Sequence, residues 1–465
     1  MKDKRRSEKT TDYNPLSQNF NTITFLRFAA PTIFMMIFMG MYTIVDIIFV
    51  ARFVNNNALA AINIVCPVIN MTVGLSTMLA TGGNAIISRK MGNGKNNEAK
   101  QDFTLLLLAG LVLGVLLLVV GILYIDPLLR MLGASDTLFP YCKDYLTILM
   151  LFLPANILQG LFQNLLVTAG KPGLGLKLSV LAGLVNIFLD YLFIVPMTMG
   201  IRGAALGTGI GYMVITVAGL VFFARSSGTL SIVKPQWDGR MLLESCINGS
   251  SEMVGQIATA ITTFLFNITM MKWLGDDGVA AITIIIYSQF LLNTLFLGYG
   301  IGVAPVIGFN YGSSNHTRQR TIFCISINFI LAISLLMFLA SWLGGSEITA
   351  LFAQRNSEVY RITTNGFSIF AFSFLFCGFN IFTSAMFTAL SNGKVSALLS
   401  FLRTFGLVAM GILLLPKVWG VDGIWLAVPL AELVMAFLSG ACLWRYRKKY
   451  GYGKQDKFKC EGKGA

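Results

Sequence analysis

Apolar residues in this chain seldom alternate with polar ones. They run on until a cluster of Gly, Pro, Asn or charged residues stops them. The stretch "FTLLLLAGLVLGVLLLVVGILYI" (103–125) is long enough to cross a bilayer, which takes roughly 20 apolar residues. Twelve such segments are delimited, at about 24–50, 58–87, 103–125, 141–168, 176–197, 203–224, 244–272, 279–307, 321–343, 362–389, 395–416 and 422–444. They predict an all-α, polytopic membrane protein with twelve transmembrane helices. The composition agrees: 55% of the 465 residues are hydrophobic and 12% are charged, against about 25% charged in soluble domains. Mean hydropathy is +0.72.

An even number of spans puts both termini on one side, and Lys and Arg choose that side. With the N-terminus inside, twenty-six basic residues fall inside and eight outside, with Arg403 left within a helix. The expected location is the cell inner (cytoplasmic) membrane, multi-pass, with both termini cytoplasmic. The net charge of +14 then follows from topology and from basic tails beside anionic lipid headgroups, so no nucleic-acid partner is implied. The first 20 residues are polar and basic, which argues against a cleavable signal peptide. Seven cysteines show no paired spacing, and most of them, lying in apolar helices, read as small buried hydrophobes; a single histidine, His316, makes a histidine-based metal or catalytic site improbable.

The pattern also repeats. "LAAINI" (59–64) recurs as "VAAITI" (279–284), "MGNGK" from Met91 aligns with "YGSSN" from Tyr311, "GIRGAALGT" (200–208) with "GVDGIWLAV" (420–428), and Pro196 with Pro416, all 220 residues apart. The expected organisation is a basic tail (1–23), a six-helix lobe (24–224), a cytoplasmic linker (225–240), a second six-helix lobe (241–444) and a second basic tail (445–465). Six helices per lobe make the repeat parallel, with transport sites near the midplane. A monomer suffices for this architecture.

Ionisable residues inside membrane helices are functional candidates by default. Here they are Asp46, Asp190, Glu252, Arg403 and Glu432. A carboxylate at a helix centre costs roughly 2.5–3.5 kcal/mol on insertion scales. Asn186 and Asp190, four residues apart, share a helix face, as do Tyr42 and Asp46. In the 220 register Asp46 pairs with Phe266, Asn186 with Gly406 and Asp190 with Met410. The acids therefore serve a task confined to one lobe. Pro31 lies in the first helix, where its missing N–H allows a bend. Met35 and Met39 on the same helix, and Glu252 on the seventh, are candidate substrate contacts, since soft Met surfaces suit varied apolar ligands. Glu252 lies near the cytoplasmic start of its span, and Arg403 is placed to snorkel to the inner headgroups. Glu432 has no partner visible in the sequence. No nucleophile–base pair, ATP-binding loop or metal cluster is apparent, so the chain does not read as an enzyme.

The loop after the second span, "ISRKMGNGKNNEAKQ", lacks the acidic-arginine-glycine signature of major-facilitator transporters. Its counterpart "GVAPVIGFNYGSSN" (302–315) carries a Pro…Gly-x-Asn-Tyr-Gly pattern. With the repeat, this resembles the multidrug and toxic compound extrusion (MATE) family, although Ala304 stands where that family usually has Gln. The resemblance implies a secondary antiporter that exports drug-like, cationic or amphiphilic compounds in exchange for H⁺ or Na⁺, without any other cofactor. It also implies a first-lobe cation-coupling cluster that maps onto Asp46 and Tyr42 of the first helix, Asn164 of the fourth, Asn186 and Asp190 of the fifth and Thr208 of the sixth, with Na⁺ at Asp46 and Asp190 where that is the ion. The alternative reading is a lipid-linked-oligosaccharide flippase of the same wider superfamily. Such flippases often have fourteen helices and a cationic cavity.

Overall fold

The computed structural model describes residues 14–226 and 228–453. The expected tail residues 1–13 and 454–465, with their basic side chains and Cys460, lie outside the described residues. The apolar runs form helices α1 (Thr22–Phe53), α2 (Asn56–Gly92) and α3 (Asn96–Leu123), then α4 in two segments (Phe139–Leu151 and Leu153–Thr168), α5 (Pro172–Ile194) and α6 (Ile201–Arg225). Gly239–Gly312 holds α7 and α8, followed by α9 (His316–Ala350), α10 (Glu358–Ala389), α11 (Gly393–Leu414) and α12 (Pro416–Tyr446). The protein is an all-α membrane protein of twelve transmembrane helices in two parallel six-helix lobes. Helices suit this solvent because each satisfies its backbone groups internally where no water can.

Breaks in the helices have local causes. The two segments of α4 meet at 55°, next to Pro154, which cannot donate a backbone hydrogen bond. Between α7 and α8 the sequence predicts a connector over 273–278. The chain instead stays helical except at Gly275, whose φ of 64° is open to glycine at little cost. Pro31 sits inside α1, and the helix continues through it from Thr22 to Phe53.

The repeat is visible in the backbone. Gly200 before α6 and Gly420 at the base of α12, 220 residues apart, share nearly the same dihedrals (φ 58°, ψ −135° and φ 58°, ψ −136°). Where the lobes meet, the two halves contact each other through equivalent residues. A Cβ on Gly92 would strike the Phe309 carbonyl, and a Cβ on Gly312 would strike the Arg89 carbonyl. Positions 89 and 309, and 92 and 312, are themselves 220 apart. This reciprocal contact is what a pseudo-two-fold axis along the membrane normal produces. Higher on α2, Gly82 lies against Ser245 and Gly249 against Met78 in the same backbone-to-backbone manner, so the lobes are closed at the end that carries both described termini.

Two further segments reinforce this end. Residues 14–20 lie across it: Leu16 is fully buried, Pro15 covers Gly170 of the first lobe, and Arg318 of the second lobe donates to the Ser17 carbonyl at 2.7 Å. The non-helical stretch 228–238 between the lobes packs on the first of them, with Leu230 buried and the Val233 amide donating to Thr104 Oγ1 at 3.1 Å.

Gly312→Leu is expected to wedge α2 away from α8 at a cost of about 1–3 kcal/mol. A cysteine in place of buried Ser88, which faces Gly308 across this seam, should then react faster with a water-soluble maleimide. Gly344→Leu, where a Cβ meets open space, should leave that rate unchanged. Equal reactivity in both variants would contradict the packing.

Candidate functional site

The first-lobe acids meet where α1, α5 and α6 converge. Gly183 of α5 lets the rings of Phe38 and Tyr42 approach, which brings α1 onto α5. Gly207 of α6 leaves room for the Asp190 carboxyl, since a Cβ there would collide with Asp190 Oδ1. The carboxyl groups of Asp46 and Asp190 consequently lie within hydrogen-bonding reach of each other. Asn186 bridges the cluster. With its amide oriented to suit its neighbours, Nδ2 donates to Asp46 Oδ1 at 2.7 Å and Oδ1 accepts from the Thr208 backbone amide at 3.2 Å. Asp190 is 1% exposed, and its Oδ1 has no donor among the described residues. Two carboxyl groups this close in an apolar setting cannot both be ionised without compensation. A proton, a cation or further hydrogen-bond donors can compensate them, and acidic and amide oxygens are the donor types that hard cations choose.

Beside this pair is a narrow cavity lined by Met39, Tyr42, Gln159, Gln163, Ser179, Asn186, Thr208 and Tyr212. Gln163 Nε2 donates to Ser179 Oγ at 3.1 Å and lies 3.3 Å from Met39 Sδ.

The structure thus brings together five of the six cluster residues read from the sequence: Tyr42, Asp46, Asn186, Asp190 and Thr208. Thr208 acts through its backbone amide as well as by lining the cavity. Asn164 stands apart. Its Nδ2 donates to the Gly160 carbonyl of its own helix at 3.1 Å, and Gly160, on the same face, abuts Ser76 of α2. One residue is about 100° of helix rotation, so Gln163 and Gln159 take the cavity-facing position instead. The adjacent Gln in "LFQN" was the available sign, and the choice between neighbours depends on how α4 is rotated in the bundle. Met39 lines the cavity, whereas Met35 is buried at 2% exposure and does not.

The second lobe holds a different cluster. Arg403 lies in a π-helical turn of α11 (Leu402–Gly406), and its Nε donates to Glu432 Oε1 of α12 at 2.8 Å. Asn380 Nδ2 of α10 donates to Glu432 Oε2 at 2.7 Å, and Ser439 Oγ donates to Asn380 Oδ1 at 2.9 Å. Arg403 therefore does not snorkel to the headgroups, as expected from the sequence, but turns inward to a partner on α12. Glu252 lies about 20 Å along its helix from Gly239, at 1.5 Å per residue, within electrostatic range of the Arg403 guanidinium.

Fold and site together define a polytopic membrane transporter, with a buried acid pair in one lobe and a buried ion pair in the other. The MatE family model matches residues 31–192 and 253–413, once in each lobe, and the chain belongs to that family of multidrug and toxic compound extrusion transporters, which are not enzymes. It is 23% identical over 436 residues to "Multidrug export protein MepA" of Staphylococcus saprophyticus, covering 93% of this chain and 95% of the relative. It is 24% identical over 442 residues to the protein of the same name in Staphylococcus haemolyticus, covering 94% and 96%. The fold superposes on the outward-facing conformation of a multidrug resistance MATE family transporter of the MOP superfamily with a TM-score of 0.87, at 22% identity, covering 94% of this chain and 99% of that one.

Gly207→Ala is expected to keep the helices inserted, to cost about 1–3 kcal/mol of stability and to push the Asp190 carboxyl off Asp46. Gradient-driven dye flux in vesicles should fall to near background, while Gly173→Ala, where a Cβ meets nothing within 4 Å, should pump normally. Undiminished flux in Gly207→Ala would show that the acid contact is dispensable.

Proposed function

We propose that this chain is a secondary antiporter that expels drug-like cationic or amphiphilic compounds from the cell in exchange for inward H⁺ or Na⁺, and that Asp46 and Asp190 hold the coupling ion. The observation that carries the reading is the contact of these two carboxyls, bridged by Asn186 and set beside the cavity of Tyr42 and Gln163. A proton or Na⁺ entering the pair neutralises it and removes the field that favours a cationic substrate. Because a ligand shifts an equilibrium only through differential affinity, the ion must bind the two lobe arrangements unequally. α1 is the element that can register the change, since it carries Asp46 and Tyr42, packs on α8 of the other lobe near Gly298, and contains Pro31. The names of the Staphylococcus relatives support drug export. In the second lobe Arg403 is balanced by Glu432 and faces Glu252, an arrangement unsuited to the multiply anionic headgroup that a lipid-linked-oligosaccharide flippase carries.

The ion is separated from the substrate by loading vesicles with a dye and imposing pH and Na⁺ gradients one at a time. Asp190→Asn keeps shape and hydrogen bonding but removes the ionisable group. It is expected to yield folded, inserted protein without gradient-driven efflux, and Asp46→Asn should behave likewise. Efflux at the wild-type rate in Asp190→Asn would overturn the coupling assignment.

The direction of transport rests on the orientation, with both termini in the cytoplasm of the cell whose inner membrane the protein spans. In a cysteine-free background, labels at Asn93 and Ser226 should be shielded by the intact membrane, and one at Asp136 should react from outside. The reverse pattern would invert both topology and direction.

A further inference from the structure

A groove runs between α1 of the first lobe and α9 of the second, at the end that carries the described termini. Its α9 wall is one helix face, with positions 317, 320, 324, 328 and 332 recurring every three or four residues. From Thr317 to Ala332 this face extends about 22 Å at 1.5 Å per residue. That is close to one leaflet with its headgroups, half of a bilayer of roughly 40–45 Å. The groove holds about 620 Å³, within the roughly 300–1,000 Å³ of single-ligand sites. Its two ends differ in chemistry. The mouth carries threonine hydroxyls and the exposed Arg320, while the lining farther in, Leu26, Phe329 and Ala332 among it, is apolar apart from Asn328. Arg318 is spent on the Ser17 carbonyl at 2.7 Å, whereas Arg320 makes no ion pair or hydrogen bond among the described residues, and no acidic residue lines the groove.

We propose that this groove binds one anionic phospholipid of the adjoining leaflet. Arg320 takes the phosphate by charge-assisted hydrogen bonds, and the positive end of the α9 dipole adds to its field. The hydroxyls of Thr22 and Thr317 face the same headgroup, and an acyl chain lies along Leu26, Phe329 and Ala332. Free phosphate would use only the mouth, and an uncharged lipid only the apolar part. The two parts together, at the length of a leaflet, match a charged lipid. Because the walls belong to different lobes, the lipid fits where α1 and α9 stand as they do here, with the seam between α2 and α8 closed. By linkage, its occupancy then holds that end shut. The site is independent of the ion-coupling assignment and makes the seam responsive to the charge of the leaflet.

The test is native mass spectrometry of the full chain in detergent, titrated with phosphatidylglycerol or phosphatidylcholine. The wild type should bind one phosphatidylglycerol more tightly than any phosphatidylcholine. Arg320→Gln should weaken that first binding by about fivefold, the size of one basic contact with an anionic headgroup. Ala332→Phe, which fills the groove without altering charge, should weaken it as well. Arg445→Gln, at an exposed basic position of the same end, should leave it unchanged. In nanodiscs, phosphatidylglycerol should slow maleimide labelling of Ser88→Cys in the seam, and Arg320→Gln should abolish the difference between the two lipids. Equal losses in Arg320→Gln and Arg445→Gln would reduce the effect to general surface charge and overturn the site. Unchanged binding in Ala332→Phe, or displacement of the lipid by inorganic phosphate alone, would overturn it too. Labelling of Ser88→Cys that ignores lipid charge would overturn the link to the seam.

Discussion

Two carboxyl groups held together away from water are the constraint around which the first lobe is arranged. Burying an uncompensated charge costs several kcal/mol even after relaxation (roughly so in real proteins), so Asp46 and Asp190 are stable only with a proton, a cation or a donor set. The donor set is deliberately incomplete: Asn186 serves Asp46, and Asp190 Oδ1 remains without a donor among the described residues. Gly207 and Gly183 are small because the acid and the rings of α1 occupy the space a side chain would need.

The lobes are alike in backbone and unlike in chemistry. Equivalent residues 89 and 92 of one lobe meet 309 and 312 of the other, which makes the seam symmetric. The charges break that symmetry. The first lobe carries an acid pair beside a Gln- and Tyr-lined cavity, and the second carries Arg403 and Glu432 locked by Asn380 and Ser439. The π-turn at Leu402–Gly406 occurs only in the second copy among the described residues, as α5 is regular through Asn186 and Asp190. One lobe therefore holds an acid pair with an unmatched oxygen, and the other is built around a fixed internal charge pair.

Much of this was legible in the sequence, for physical reasons. Twenty-residue apolar runs have few alternatives in a bilayer, so the spans and the duplicated lobes could be read directly. Asp46, Asn186 and Asp190 stood out because polar groups are expensive there. Features that depend on helix rotation and side-chain reach were not legible. Asn164 and Gln163 are neighbours in sequence but about 100° apart around α4, and only packing decides which faces the cavity. Arg403 is long enough to reach either headgroups or Glu432, and spacing along the chain does not distinguish these. Gly275 was read within a connector because a glycine–acid cluster usually marks one, while the chain there needs only one residue at positive φ.

The central claim is that the Asp46–Asp190 pair holds an ion whose binding opposes that of substrate. It is tested most directly at equilibrium, without gradients, by measuring the affinity of the purified chain for a cationic dye while H⁺ and Na⁺ are varied independently. The account predicts that rising concentration of one of these ions weakens dye binding in the wild type, and that this dependence vanishes when Asp46→Asn and Asp190→Asn are combined. An affinity that ignores both ions in the wild type, or the same ion dependence in the double variant, would contradict it.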